Sequence, residues 1–280
     1  MSKDCINKLK KVVFLSIFSC ISVFSLGQEI SGRVLDNVSE QNLAYVNIGV
    51  IGKNVGTVTN QDGTFSIDLM DEYDQDTIRI SLIGYLSLEY KVMDFKKLIN
   101  DSPIIHLEPR SFEIEEVVVS GKKLKTKILG NKTTSRKMSG GFESDDLGSE
   151  VGVPVKIKRK PTYIKKFFAS IVENKYDTLK FRLNLYSLKN KMPDQPLLNE
   201  NIIISTTMET GLFEVDLTEY NIVVQDDFFV SLEWIEDLGE DGLQFSMSLL
   251  GNPVIHRKTS QGNWEKIGMV GIGFAVEVSY

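Results

Sequence analysis

The stretch from residue 56 to residue 68 constrains the fold most, because it places a tight turn between the end of one short strand, residues 57–59, and the start of another. In the turn, residues 60–63, Asp62 can hydrogen-bond its own backbone and Gly63 can adopt a positive φ that residues with a Cβ resist. From Phe65 onward, apolar and polar residues alternate, which is the period-two pattern of a strand with one buried face. The stretch therefore predicts short β-strands joined by a turn.

The same organisation extends across residues 28–109. Short alternating segments are separated by turn residues, and no long helical period interrupts them. Residues 76–82 alternate most regularly, and Gly84 and Tyr85 end that segment. Such spacing is typical of a β-sandwich, so we predict a first β-sandwich domain over residues 28–109.

Four motifs within this region occur in a characteristic order: Ile-x-Gly-x-Val-x-Asp at 30–36, Leu-x-x-Val-x-Ile at 43–48, Gly-Thr-x-Thr-x-x-x-Gly-x-Phe at 56–65, and Ile-Ser-x-x-Gly-Tyr at 80–85. Together they resemble the carboxypeptidase-like regulatory domain. One departure is Asn42, where the family often has Pro.

The resemblance implies a seven-stranded, transthyretin-like β-sandwich without catalytic activity of its own. The family is common at the N-terminus of exported and outer-membrane proteins of Bacteroidetes. The residues that carry the motifs have structural roles under this interpretation; they are Gly32, Asp62, Gly63, Phe65, Gly84 and Tyr85.

Residues 1–27 have the three parts of a signal peptide. Four lysines lie among the first eleven residues, residues 12–24 form an apolar core, and residues 25–27 suit cleavage before Gln28. We therefore expect an exported protein that is periplasmic, outer-membrane-associated or secreted. Lipidation at Cys20 is an alternative, since residues 17–20 loosely resemble a lipobox.

Composition excludes several classes of function. The formal net charge of −6 argues against nucleic-acid binding, which requires a basic face. The two cysteines, Cys5 and Cys20, both lie in the predicted signal peptide. The mature chain would therefore lack disulfides, thiolate metal sites and cysteine nucleophiles.

Residues 110–150 are predicted to form a strand followed by a flexible basic linker. The strand, residues 114–121, is similar to the segment that follows this module in TonB-dependent transporters of Bacteroidetes. The run from Lys122 to Lys137 contains no acidic residue. It is expected to be a solvated tether, and peripheral contact with anionic lipid or lipopolysaccharide is the alternative.

Residues 151–280 again show a β pattern, most clearly at residues 179–186. We predict an all-β protein whose second domain is another antiparallel β-sandwich, of jelly-roll type. The alternating segment at 270–280 ends in an aromatic residue, as outer-membrane β-barrels do, so a small barrel with a periplasmic head is left as an alternative.

No catalytic motif is present in the sequence. His106 and His256 have no acidic residue at metal-motif spacing. A hydrolase acting on glycans stays open because its two carboxylates come from distant positions; Glu233 and Glu214 are the candidates. The acidic segments 71–76 and 236–242 lack a full calcium-loop pattern and are expected to be solvated turns.

Aromatic residues near predicted loop ends are candidates for stacking on sugar rings. The first candidates are Trp234 and Trp264, followed by Tyr73 and Tyr163. The leading hypothesis is a non-catalytic exported protein that binds an envelope protein or a glycan, without cofactor or metal.

Overall fold

The structure is a computed structural model that describes residues 27–110, 124–142, 146–239 and 242–280. The predicted signal peptide and the predicted strand at 114–121 lie outside the described residues, except for Gly27. Within the described residues, no helix is long and apolar enough to span a membrane.

The N-terminal unit has seven strands in two sheets, as predicted. The strands are β1 (Gln28–Asp36), β2 (Asn47–Val50), β3 (Gly56–Val58), β4 (Thr64–Leu69), β5 (Thr77–Ser81), β6 (Leu88–Lys91) and β7 (Ile104–Leu107). One sheet has the order β4-β1-β7 and the other β3-β2-β5-β6, and every pair is antiparallel except β1 with β7.

One helix, α1 (Val92–Asp101), connects β6 to β7 and corrects the prediction that this unit lacks a helical segment. Its buried residues, Val92, Phe95, Lys96 and Ile99, follow the spacing of one helical face. The ring of Phe95 lies 6.4 Å from that of Phe65 in β4. The helical period spans fewer than three turns, which is why it did not stand out from the alternating segments around it.

The motif residues pack where the two sheets meet. A Cβ on Gly32 would lie 2.9 Å from the Phe65 ring, so the strand can carry only glycine there without displacing the ring. Gly63 has a φ of +77°, and its carbonyl accepts the Val34 N–H at 2.9 Å. The Tyr85 hydroxyl donates to Asp36 at 2.8 Å, and burial followed by this bond raises the pKa of Tyr85 to about 12.

Among the described residues, the C-terminal unit has fifteen strands in two antiparallel sheets. The strands are β8 (Thr126–Gly130), β9 (Ser139–Phe142), β10 (Glu150–Val155), β11 (Thr162–Asn174), β12 (Leu179–Lys189), β13 (Met192–Pro196), β14 (Ile202–Thr206), β15 (Gly211–Asp216), β16 (Val223–Val224), β17 (Phe228–Trp234), β18 (Leu243–Leu249), β19 (Val254–Arg257), β20 (Glu265–Ile267), β21 (Val270–Ile272) and β22 (Phe274–Ser279). The seven-stranded sheet has the order β13-β12-β17-β10-β19-β20, with β14 beside β12. The eight-stranded sheet has the order β21-β18-β11-β22-β8, with β15 and β16 beside β11 and β9 beside β18.

The two sheets of this unit share one hydrophobic core, which makes the unit a β-sandwich. Alternate residues of each long strand enter the core, for example Phe181 and Leu183 of β12 and Phe167 of β11. Burial of such side chains stabilises the fold by about 1.5–3 kcal/mol each.

The C-terminal unit begins earlier than the sequence predicts. β8 pairs with β22 and β9 pairs with β18, so part of the predicted flexible linker belongs to the eight-stranded sheet. The cause is visible in β9, where Phe142 enters the core and lies 5.2 Å, ring to ring, from Trp234. A single aromatic anchor among glycines and lysines gives too little sequence pattern to predict a strand.

Replacing Gly63 by alanine should lower the free energy of unfolding by more than about 1–2 kcal/mol, because the positive φ is strained for residues with a Cβ and the added Cβ would lie 2.8 Å from the Val34 carbonyl oxygen. Chemical denaturation measures the effect. Gly84→Ala is the matched control, since Gly84 has a φ of +92° but its Cβ would meet nothing closer than 3.6 Å. Equal losses in the two variants would show that the close packing at Gly63 is unimportant.

Candidate functional site

A cleft of about 650 Å³ lies between the two units. One wall comes from the N-terminal unit, including Arg79 and Tyr85. The other wall is the outer face of the seven-stranded sheet, including Tyr186, together with the segment that carries Trp264. The cleft is therefore built by the docking of the two units rather than by either one alone.

A row of four charged side chains crosses the sheet beneath this cleft. Arg182 of β12 lies opposite Glu233 of β17, Glu233 lies opposite Glu150 of β10, and Glu150 lies opposite Arg257 of β19. Directly opposed residues point to the same face of a sheet. Their neighbours along the strands, such as Leu183, fill the sandwich core, so the charged row lies on the opposite face.

All four members of this charged row are buried, with exposures of 1% for Arg182, 0% for Glu233, 0% for Glu150 and 7% for Arg257. The arginines flank the two carboxylates. Arg182 Nη1 lies 3.2 Å from Glu233 Oε2, and Arg257 Nη2 lies 2.6 Å from Glu150 Oε2 and 3.6 Å from Glu233 Oε1. The positive charge at each end of the row offsets the repulsion that the two adjacent carboxylates would otherwise suffer.

Neutral polar groups donate further hydrogen bonds to the carboxylates of the charged row. The Asn184 amide donates to Glu150 at 3.0 Å and to Glu233 at 2.8 Å. The hydroxyls of Ser231 and Tyr186 also donate to Glu150. Asn184 lies opposite Ser231, two residues along each strand from the charged row and on the same face of the sheet. Strand register alone therefore brings both side chains within reach of the carboxylates.

Burial and the neighbouring charges both shift the pKa values of groups in and beside the charged row. Burial raises the pKa of Glu150 because it disfavours the charged carboxylate. The attraction of Arg257 opposes this shift, and the repulsion of Glu233 adds to it. Burial also raises the pKa of Tyr186. For Arg257, burial favours the neutral form, but the carboxylates of Glu150 and Glu233 hold its pKa above the ordinary value.

The N-terminal unit covers one end of the charged row through Tyr45. The Tyr45 carbonyl accepts a hydrogen bond from Arg182 Nη2, and its hydroxyl donates to Glu236 at 2.8 Å. Tyr45 has a φ of +61°, a conformation that residues with a Cβ rarely adopt. The local strain is offset by two contacts that both join the N-terminal unit to the C-terminal unit.

Glu236 accepts hydrogen bonds from three side chains at this end of the interface between the two units. Besides Tyr45, Gln61 donates at 2.7 Å and Lys180 at 2.8 Å. Burial acts to raise the pKa of Glu236, but the hydrogen bonds from Lys180, Gln61 and Tyr45 hold it below the ordinary value. Burial and the bond to Glu236 together raise the pKa of Tyr45.

At the other end of the interface, the backbones of the two units approach each other closely. A Cβ on Gly49 would lie 2.2 Å from the Ser260 carbonyl oxygen, so only glycine allows this approach. The Ser260 hydroxyl donates to Asn47 at 2.9 Å, and the Gly52 N–H donates to the Gln261 carbonyl at 2.9 Å. Both ends of the interface are therefore fixed by specific polar contacts.

The structure separates the two candidate tryptophans. Trp234 is 1% exposed and packs among core aromatics, so it is removed from the candidate binding residues. Trp264 lines the cleft, where the Arg257 guanidinium lies 4.9 Å from its ring centroid. Its ring also contacts Tyr186 and Phe229 edge to face, at 5.8 and 5.3 Å.

The two candidate carboxylates are not brought together. Glu233 lies in the buried charged row and is 0% exposed. Glu214 lies in β15 of the other sheet and pairs with Lys166 near the surface. The carboxylate that does lie beside Glu233 is Glu150, which sequence analysis missed.

The other candidates lie apart from the cleft. In the first acidic segment, Asp71 and Asp74 each accept a hydrogen bond from Lys96 at 2.8 Å. His106 Nε2 lies 3.2 Å from Glu40 on the surface, and residues 240–241 of the second acidic segment lie outside the described residues. Across the described ranges, no group of three or more His, Cys, Asp or Glu side chains could hold a metal ion.

Comparison with known families bears on the N-terminal unit. Residues 30–119 match the family model of the CarboxypepD_reg-like domain. This unit is a carboxypeptidase-like regulatory domain. Members of this domain type are non-catalytic. No curated protein matches the chain.

Replacing Arg182 by methionine should lower the free energy of unfolding by about 3–5 kcal/mol, because Glu233 would lose the nearer of its two arginine partners in a buried site. Equilibrium denaturation in urea measures the loss. Lys166→Met, which breaks the exposed pair with Glu214, is the matched control and should cost about 0–1 kcal/mol. Similar small losses in both variants would show that the charged row is not needed for stability.

The contribution of Glu236 to stability should depend on pH. Because its pKa is lowered in the folded state, its contribution is present above the unfolded value of 4.5 and is lost as the pH falls through the lowered value. The free energy of unfolding, measured from neutral to acidic pH, should show the wild type more stable than Glu236→Gln, with a difference that shrinks below pH 4.5. Glu209→Gln, at an exposed position, is the control. A difference that persists undiminished at acidic pH would contradict this assignment.

Proposed function

We propose that the protein is a non-catalytic, exported accessory protein of the cell envelope whose interdomain cleft binds a glycan. The carboxypeptidase-like regulatory domain supports a non-catalytic role for the N-terminal unit. The signal-peptide pattern of residues 1–27 supports export. The cleft supports binding, for the reasons that follow.

The observation that carries this proposal is the placement of Trp264. Its partly exposed ring lines the cleft, while Arg257, Tyr186 and Phe229 hold it from the side and below. An aromatic ring that is fixed before the ligand arrives can stack on the apolar face of a sugar without a large loss of side-chain entropy.

Polar groups around Trp264 suit the hydroxyls of a sugar. The mouth of the cleft carries exposed amide side chains, which can both donate and accept hydrogen bonds. These are Gln195, Asn199 and Asn263, and the Asn263 amide also donates to the Gly52 carbonyl at 2.8 Å. A few placed polar groups beside an aromatic surface are the usual composition of a small-molecule site.

The two carboxylates of the charged row beneath the cleft are poorly placed for acid–base chemistry. Glu150 and Glu233 are both 0% exposed and are enclosed by arginine and asparagine donors. A general acid or base must come within hydrogen-bond reach of the group that it protonates or deprotonates. In this geometry they hold the sheet and the flanking arginines in position beneath the ligand.

Binding to a panel of soluble oligosaccharides should be detectable by isothermal titration calorimetry. Trp264→Ala should weaken the affinity for the best ligand by about tenfold or more, because a desolvated aromatic contact is lost. Gln195→Ala, at an exposed position of the cleft, should weaken it less and without loss of stability.

Tyr163→Ala is the matched control, because Tyr163 is a partly exposed aromatic in β11 and lies outside the cleft lining. Unchanged affinity in this variant is expected. Equal losses in Tyr163→Ala and Trp264→Ala would contradict the cleft as the site. Glycan cleavage that disappears in Glu233→Gln would overturn the non-catalytic assignment.

A further inference from the structure

Large apolar side chains project into solvent at one end of the C-terminal unit. Leu249, Leu250 and Met269 are 71%, 82% and 74% exposed, and Ile267 is 45% exposed. We refer to these four residues as the apolar tip. Single exposed apolar residues are ordinary, but a group of four at two adjacent connections between the sheets, β18 to β19 and β20 to β21, indicates an interaction surface.

The backbone holds the apolar tip in a defined shape. Leu249 is paired with Val270 where β18 meets β21, and the Leu250 N–H donates to the Met269 carbonyl at 2.9 Å. Leu250 and Met269 have φ values of +61° and +65°, which are unfavourable for residues with a Cβ. Backbone strain at two residues whose large apolar side chains are exposed to water indicates that the exposure of these side chains has a function.

A basic groove of about 920 Å³ is lined in part by near chain neighbours of the apolar tip. Asn252 and Pro253 line it just after Leu250, and Lys266 lines it just before Ile267. Six cationic side chains and two acidic ones, Asp226 and Asp227, surround the groove. The cations are Lys156, Lys158, Arg159, Lys160, Lys191 and Lys266.

One residue of the basic run at 122–137, Asn131, is held beside the apolar tip. Asn131 donates to the Asn252 carbonyl at 3.0 Å and accepts from the Asn252 N–H at 2.8 Å. These two bonds hold Asn131 against the connection between β18 and β19, which carries Leu250. The next residue, Lys132, is exposed and therefore adds positive charge beside the apolar tip.

We propose that the apolar tip and the basic groove together dock the protein on an anionic membrane surface. Apolar side chains can enter the boundary between headgroups and acyl chains, while the adjacent cations contact lipid phosphates. The chain as a whole carries a formal charge of −6, so the attraction is local to this end of the molecule. This surface is separate from the cleft and does not depend on the glycan proposal.

Charge favours a membrane over a second copy of the chain as the occupant. A two-fold dimer through the apolar tip would place the same patch on both sides of the interface. The two basic grooves would then approach each other, which opposes association. An anionic lipid surface complements the apolar tip and the basic groove at once.

Vesicle co-sedimentation of the purified full chain tests this proposal. Vesicles of phosphatidylcholine with phosphatidylglycerol should bind the wild type at least about tenfold more strongly than pure phosphatidylcholine, and added salt should reduce the difference. Leu249→Ser/Leu250→Ser should lower binding about tenfold or more, and Lys158→Gln/Lys160→Gln/Lys266→Gln should remove the preference for the anionic lipid.

Leu212→Ser and Val38→Ser are matched controls, since both residues are exposed, at 52% and 77%, but lie elsewhere on the molecule. Neither should change vesicle binding. All variants share one N-terminus, so differences report on the apolar tip and the basic groove. Equal binding by the Leu249/Leu250 variant and the wild type would overturn the proposal. A second result would also overturn it: vesicles bind neither protein, and sedimentation velocity shows concentration-dependent dimers of the wild type that the Leu249/Leu250 variant does not form.

Discussion

The buried row of Arg182, Glu233, Glu150 and Arg257 is the interaction on which the rest of the structure depends. Burying four charges carries a large desolvation penalty unless each finds partners of opposite charge and further hydrogen bonds. Strand register supplies those partners within the seven-stranded sheet. The N-terminal unit then covers the row and accepts a hydrogen bond from Arg182 through the Tyr45 carbonyl. The stability of the sheet and the docking of the two units are thereby linked.

The N-terminal domain could be predicted because its sequence signals are local. Gly63 and Asp62 specify a turn through their own backbone chemistry, and the alternation from Phe65 onward specifies which face is buried. Helix α1 was missed because its apolar face covers fewer than three turns. In the predicted linker, β8 and β9 were missed because their partners, β22 and β18, lie more than a hundred residues away along the chain.

The candidate site could not be predicted from the alternation of apolar and polar residues. Arg182 occupies a polar position of β12 just as a solvent-facing residue would, and nothing local shows that a second domain covers that face. Trp234 and Trp264 illustrate the same difficulty. One lies in the core and the other lines the cleft, and only the tertiary arrangement distinguishes them.

Differential scanning calorimetry of the full chain at neutral pH tests most directly whether the two units form one body around the charged row. We expect one cooperative transition, with equal calorimetric and van't Hoff enthalpies, because exposing the row by undocking the N-terminal unit would destabilise the sheet beneath it. Two separate transitions, with the N-terminal unit melting while the C-terminal sandwich stays folded, would contradict this linkage between the units.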